Sequence, residues 1–165
     1  MEESIENLIG KMLTDRALTI SVAESCTGGL IGSMITDVPG SSRYFLGGII
    51  AYSNHSKMEI LNVSSKNIEE HGAVSDQTVR EMAWGVKRLF NSHLGLAVTG
   101  IAGPEGGTME KPVGTVFIGL AAEDRIFTAG YRFHGTRGEI KQETARMALD
   151  NLRRYLNDDT FLPGI

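Results

Sequence analysis

Ala17-Leu18-Thr19-Ile20-Ser21-Val22-Ala23-Glu24-Ser25-Cys26-Thr27-Gly28-Gly29-Leu30-Ile31 decides the fold class. Its first seven residues form a short apolar, β-branched run, the pattern of a strand covered on both faces. A Gly-rich turn follows, after which Leu30, Ile31, Met34 and Ile35 mark one side of a helix that ends near Asp37-Val38-Pro39-Gly40. Upstream, Ile5, Leu8, Ile9, Met12 and Leu13 share one face of an opening helix. Downstream, a Ser-rich turn leads to a strand over Leu46 to Tyr52, and Ser65 is placed to cap a short helix that stops at Gly72. Ser75 is a good N-cap for a long helix in which Val79, Met82, Ala83, Val86 and Phe90 recur at helical spacing.

Leu94 to Val98 is a third buried strand that runs into a second Gly-rich loop, Thr99 to Gly107. Val113 to Ala121 and Ile126 to Phe133 are two more strands, and the short link between them requires an antiparallel hairpin. Thr136 with Glu139 makes a capping box for a last helix through Ile140, Met147, Ala148 and Leu152. Strands alternating with helices imply a single three-layer α/β/α sandwich over residues 1–165, its sheet mostly parallel with one antiparallel hairpin.

Composition bounds the function. A length of 165 residues suits one domain, and 16 Lys+Arg against 20 Asp+Glu gives no general cationic surface for nucleic acid. One cysteine allows no internal disulfide, which fits a reducing compartment. The Glu-containing N-terminal stretch lacks the pattern of a signal peptide, and no apolar run approaches the ~20 residues that span a bilayer. A cytoplasmic protein without membrane partner is expected. Gly accounts for 20 residues, about 12% against a usual ~7%, with no low-complexity stretch to hold them, so their positions matter.

Two Gly-rich loops follow buried strands, where ligands bind in open α/β sheets. Ser25-Cys26-Thr27-Gly28-Gly29 opens a helix and offers free N–H groups to an anion. Thr99, Gly100 and Gly103 lie in the second loop. Neither loop is a Walker A or a GxGxxG fingerprint, and tight turn geometry alone would also explain them. A third cluster sets Gly40-Ser41-Ser42 beside Tyr52-Ser53-Asn54-His55-Ser56-Lys57. A lysine can serve as the base for a serine nucleophile when burial lowers its pKa. A surface lysine and turn serines are the commoner arrangement, and both readings stand on the residues alone. Cys26 reads as a small buried hydrophobe rather than a thiolate. The four histidines show no ligand spacing, so no metal is expected.

Six segments occur in one order over most of the chain: AESCTGG, GSSRYF, Y-S-N-x-x-K, HGAVS, TGIAGPEGG and KPVGTV. Together they resemble the C-terminal domain of the competence/damage-inducible CinA family. The chain is most similar to the family's stand-alone nicotinamide mononucleotide deamidases, from about Ala17 to Leu156. The resemblance implies a metal- and cofactor-free Ser–Lys amidohydrolase. It would convert nicotinamide mononucleotide to nicotinic acid mononucleotide and ammonia in pyridine-nucleotide salvage, as a homo-oligomer, most simply a dimer. Transferred by motif, it makes Ser42 the nucleophile and Lys57 the base, with Ser25 and Tyr52 assisting. Thr99, Gly100 and Arg137 fall on positions tied to substrate binding or catalysis. The substrate's phosphate is expected against a Gly-rich loop (Thr27, Gly28 and Gly29, or Gly103), with Arg137 as its charged partner. Gly138 after Arg137 departs from the usual pattern and loosens that first turn. Three rival functions remain: a nucleotide-binding module without turnover, a Ser–Lys hydrolase of another amide, and a protein-interaction domain with no small-molecule site.

Overall fold

The computed structural model describes residues 3–158. The strands are β1 (Ile20–Glu24), β2 (Phe45–Ile50), β3 (Leu94–Gly100), β4 (Thr115–Ala122) and β5 (Arg125–Arg132). The helices are α1 (Ile5–Asp15), α2 (Leu30–Thr36), α3 (Asn54–Leu61), α4 (Ser65–His71), α5 (Asp76–Phe90) and α6 (Arg137–Leu156), and a single 3₁₀ turn covers Ser41–Arg43. All five strands join one sheet in the order β2-β1-β3-β4-β5. β1 pairs in parallel with both β2 and β3, whereas β4 runs antiparallel to β3 and β5. β4 alone opposes the common direction.

The apolar patterning places the layers. β1 and most of β3 are buried throughout, as a strand covered on both faces requires. On one face Leu13 of α1, Ile31 of α2 and Leu149 and Leu152 of α6 pack against Val22, Leu96 and Ile118. On the other, Val79, Met82 and Val86 of α5 meet Ala23, Ala97 and Leu61 of α3. Each fully buried Leu or Ile contributes about 1.5–3 kcal/mol of transfer free energy, so these two clusters hold the sandwich together. α2 carries the chain from β1 to β2 on the first face, and α5 carries it on to β3 across the second. The connections therefore diverge between β1 and β3, leaving a crevice beyond their carboxyl ends.

Caps follow the sequence closely. Ser75 accepts a hydrogen bond from the Thr78 N–H, and Thr136 and Glu139 form the expected reciprocal box at α6. The cap of α4 is Ser64 rather than Ser65. α3 is a helix that the hydrophobic pattern does not announce. Ser53 caps it, and only Lys57 and Leu61, one turn apart, are buried. Gly85 allows α5 to approach this helix closely, because a Cβ there would stand 2.1 Å from the Leu61 carbonyl oxygen.

Candidate active site

The crevice over β1 and β3 holds a cavity of about 220 Å³ lined by Ser25, Tyr52, Lys57, Thr99, Gly100 and Arg137, among others. Each reaches it from a different piece of the fold. Pairing continues past the end of β1: the Ala51 N–H donates to the Glu24 carbonyl at 2.8 Å and the Ser25 N–H to the Val98 carbonyl at 3.2 Å. Ser25 is thus pinned between both neighbouring strands at the head of the crevice. α3 turns back behind it and aims Lys57 inward.

Lys57 is only 1% exposed, and its Nζ lies 2.9 Å from Ser25 Oγ, 2.8 Å from the Ala51 carbonyl oxygen and 3.1 Å from the Tyr52 carbonyl oxygen. The two carbonyls can only accept, so they orient two N–H bonds. The third direction faces the serine hydroxyl. In the protonated amine it carries a hydrogen to Ser25; in the neutral amine it carries the lone pair that can take the serine proton. Burial lowers the pKa of Lys57 from 10.5 to about 8, because desolvation disfavours the charged form. The neutral base is then within reach of ordinary pH.

The remaining walls are tied to one another. Thr99, at the end of β3, donates its hydroxyl to the Ala73 carbonyl at 2.8 Å, fixing the loop that enters α5. Arg137 in the first turn of α6 donates to the Gly103 carbonyl at 2.7 Å and to the Tyr52 hydroxyl at 3.0 Å. One guanidinium therefore joins the second Gly-rich loop, the start of α6 and the loop entering α3. Gly103 itself enters the site through this carbonyl. Gly100 is needed for packing, since a Cβ there would stand 2.7 Å from Val116 Cγ2 and 3.1 Å from Cys26 Sγ. Burial pushes the Cys26 thiol up to about 12, so the residue beside Ser25 is no thiolate.

Two expectations are corrected. Ser42 lies in the 3₁₀ turn ahead of β2, exposed and outside the cavity. That turn joins the amino ends of the strands, where the Ile20 N–H donates to the Tyr44 carbonyl. Lys57 sits at the opposite, carboxyl end, roughly 16 Å of strand away at ~3.3 Å per residue. No rotamer brings the two together; Ser25 holds the place expected of Ser42. Thr27, Gly28 and Gly29 do not present an open anion cradle either. The buried Glu24 carboxylate fills it, accepting from the Thr27 hydroxyl at 2.6 Å and from the Ile31 and Gly32 N–H groups at 2.9 Å each. The helix start that would attract a phosphate is neutralised from inside. Gly28 and Gly29 instead supply the positive φ of the turn, 62° and 105°.

Sequence reasoning missed Glu24 as an anchor. The signal was present: a carboxylate ending an apolar strand, followed by a threonine three residues on and a helix start. Among the described residues no group of three or more His, Cys, Asp or Glu is arranged to hold a metal, and no helix is long and apolar enough to cross a membrane.

An α/β/α sandwich with a buried lysine on a serine hydroxyl at its switch point defines the class. Comparison with known proteins gives the family. The model of the CinA C-terminal domain matches residues 2–156, so the chain belongs to the CinA C-terminal domain family. It is 48% identical over 155 residues to a CinA-like protein of Thermotoga maritima, covering 94% of this chain and 38% of that one. A CinA-like protein of Geotalea uraniireducens is 49% identical, with 93% and 37% covered. The chain thus spans under two fifths of the length of these curated relatives. Among solved structures, the competence/damage inducible protein CihA from Agrobacterium tumefaciens superposes with a TM-score of 0.87 at 39% identity, covering 95% of this chain and 98% of that one. A CinA superfamily protein from Klebsiella pneumoniae gives a TM-score of 0.90 at 28% identity, with 94% and 99% covered.

Proposed function

We propose that the chain is an amidohydrolase that hydrolyses the carboxamide of nicotinamide mononucleotide, with Ser25 as nucleophile and Lys57 as general base. The observation that carries this reading is the 2.9 Å contact between Lys57 Nζ and Ser25 Oγ, made by an amine whose other two polar contacts are fixed carbonyls. The substrate is taken from the family resemblance. The cavity supports it in one respect: about 220 Å³ is below the ~300–1,000 Å³ usual for whole drug-sized ligands, so it suits an amide-bearing ring rather than a complete nucleotide.

The chemistry follows from the atoms present. Neutral Lys57 accepts the Ser25 proton as Oγ attacks the amide carbon, and the carbonyl oxygen becomes an oxyanion. In the turn after Ser25, the Thr27 N–H has no backbone acceptor among the described residues, which leaves it for this oxygen, while the Cys26 N–H is shared with its own sulfur. The ammonium of Lys57 returns the proton to the leaving nitrogen as the C–N bond breaks, releasing ammonia and an ester on Ser25. Water, deprotonated by the same amine, then hydrolyses the ester to the carboxylic acid and restores the hydroxyl. Ala51 and Tyr52 hold the amine in place throughout, and Arg137 with Tyr52 closes the outer wall.

The test is ammonia release from nicotinamide mononucleotide by wild type, Ser25→Ala and Lys57→Ala. Turnover by wild type with loss in both variants is expected. A wild type that binds the nucleotide without releasing ammonia would make it a binding module, and turnover of other amides with none of this nucleotide would change the substrate.

A further inference from the structure

If the proposed substrate is correct, its phosphate has to lie outside the ring-sized cavity, on the rim. The first Gly-rich loop offers no seat at the α2 start, because the Glu24 carboxylate already occupies it. Most cations beside the cavity are committed. Lys57 is spent on Ser25 and two carbonyls, and Arg137 on Gly103 and Tyr52. Lys111, beside the Ala73 wall, donates its ammonium to the His71 carbonyl.

Lys141 differs. It stands one helical turn beyond Arg137 on α6, so the two side chains share a face. It is half-buried, yet it makes no hydrogen bond or ion pair among the described residues. Its Nζ lies 3.8 Å from the point where a Cβ on Gly28 would stand, and nothing else comes within 4 Å of that point. Bare backbone and an unpartnered ammonium thus face each other across a gap beside the nucleophile's turn. The ammonium's field also reaches Cys26, next to Ser25, where it favours the thiolate against the larger effect of burial.

We infer that Lys141 binds the substrate's 5′-phosphate in the gap above Gly28, and so sets the preference for a phosphorylated nucleoside amide over its unphosphorylated form. The inference rests on the amidohydrolase reading for its substrate, but not for its anion. Arg137 stays a wall residue in this arrangement, with the phosphate one turn further along the helix. A charge-assisted phosphate contact corresponds to a roughly ten- to hundredfold effect on affinity.

The experiment compares kcat/KM for nicotinamide mononucleotide and nicotinamide riboside in wild type, Lys141→Gln and Lys141→Arg. The preference for the nucleotide should fall at least tenfold in Lys141→Gln, through KM, and recover in part in Lys141→Arg. An unchanged preference, or an equal fall for both substrates, overturns the assignment. A second arm needs no turnover: calorimetry of ribose 5-phosphate binding to Ser25→Ala and to Ser25→Ala/Lys141→Gln. Binding by the first and its loss in the second supports Lys141; equal binding by both, or none by either, overturns it. If wild type releases no ammonia from the nucleotide, the amidohydrolase reading falls and the calorimetric arm alone decides Lys141.

Discussion

Ser25 and Ser42 are both serines beside the same pair of strands, and they sit at opposite ends of it. Ser25 follows the last residue of β1, is 7% exposed and touches a buried amine. Ser42 precedes β2 and is exposed, with no catalytic group beside it. The strand direction makes the difference. In a parallel pair every loop entering a strand lies at one edge of the sheet and every loop leaving lies at the other. Only the leaving edge gathers the ends of β1 and β3, the start of α3 and the start of α6. A motif can therefore be correct in composition and still be assigned to the wrong edge.

That contrast can be broken most sharply by substitution. Ser25→Ala should lower kcat for ammonia release by at least a thousandfold, since removing a nucleophile from a comparable dyad or triad costs up to ~10⁶. Ser42→Ala should stay within twofold of wild type. The reverse ranking would return the site to the amino edge. Lys57→Ala should lower kcat by about 10²–10⁴, the usual worth of a general base. In wild type, kcat/KM should rise with pH through an apparent pKa near 8, the value to which burial lowers Lys57. A profile flat from pH 6 to 9 would contradict a titrating amine.

The same residue predicts a stability effect that also rises with pH, over a higher range than the catalytic one. Lys57 titrates near 8 when folded and at 10.5 when free. Above 10.5 both states are neutral and the residue carries no proton-linked penalty. Between 10.5 and 8 the unfolded chain binds a proton that the folded chain refuses, so stability falls as pH falls and then levels below 8. Relative to Lys57→Met, wild type should gain on the order of 3 kcal/mol between pH 8 and 10.5, measured by denaturant unfolding across that range. A difference independent of pH would show that the amine is not desolvated. The smallest expected change is at the cap. Thr136→Ala should cost about 1 kcal/mol in thermal unfolding and raise KM modestly, because the turn it fixes carries Arg137.

The sequence made much of the frame legible. Alternating apolar strands and helices, Ser75 and Thr136 as caps, and the short link before Arg125 each stand where local patterning put them. α3 was hidden for a physical reason: its inward face consists of Lys57 and Leu61, and a buried lysine reads as a polar position. The Ser25–Lys57 contact spans 32 residues and two strand connections, so no local signal carries it. Glu24 was hidden by the same logic in reverse, a carboxylate read as surface because its partners are backbone N–H groups of the following helix. What could not be read is in each case a polar group turned inward and satisfied from a distance.

The most direct measurement is peptide mapping by mass spectrometry after acid quenching during turnover of nicotinamide mononucleotide. The nucleotide's acyl group, with its ribose phosphate still attached, should be found as an ester on Ser25, resolved by fragmentation from Cys26. The same group on Ser42, or on Cys26, would contradict the account.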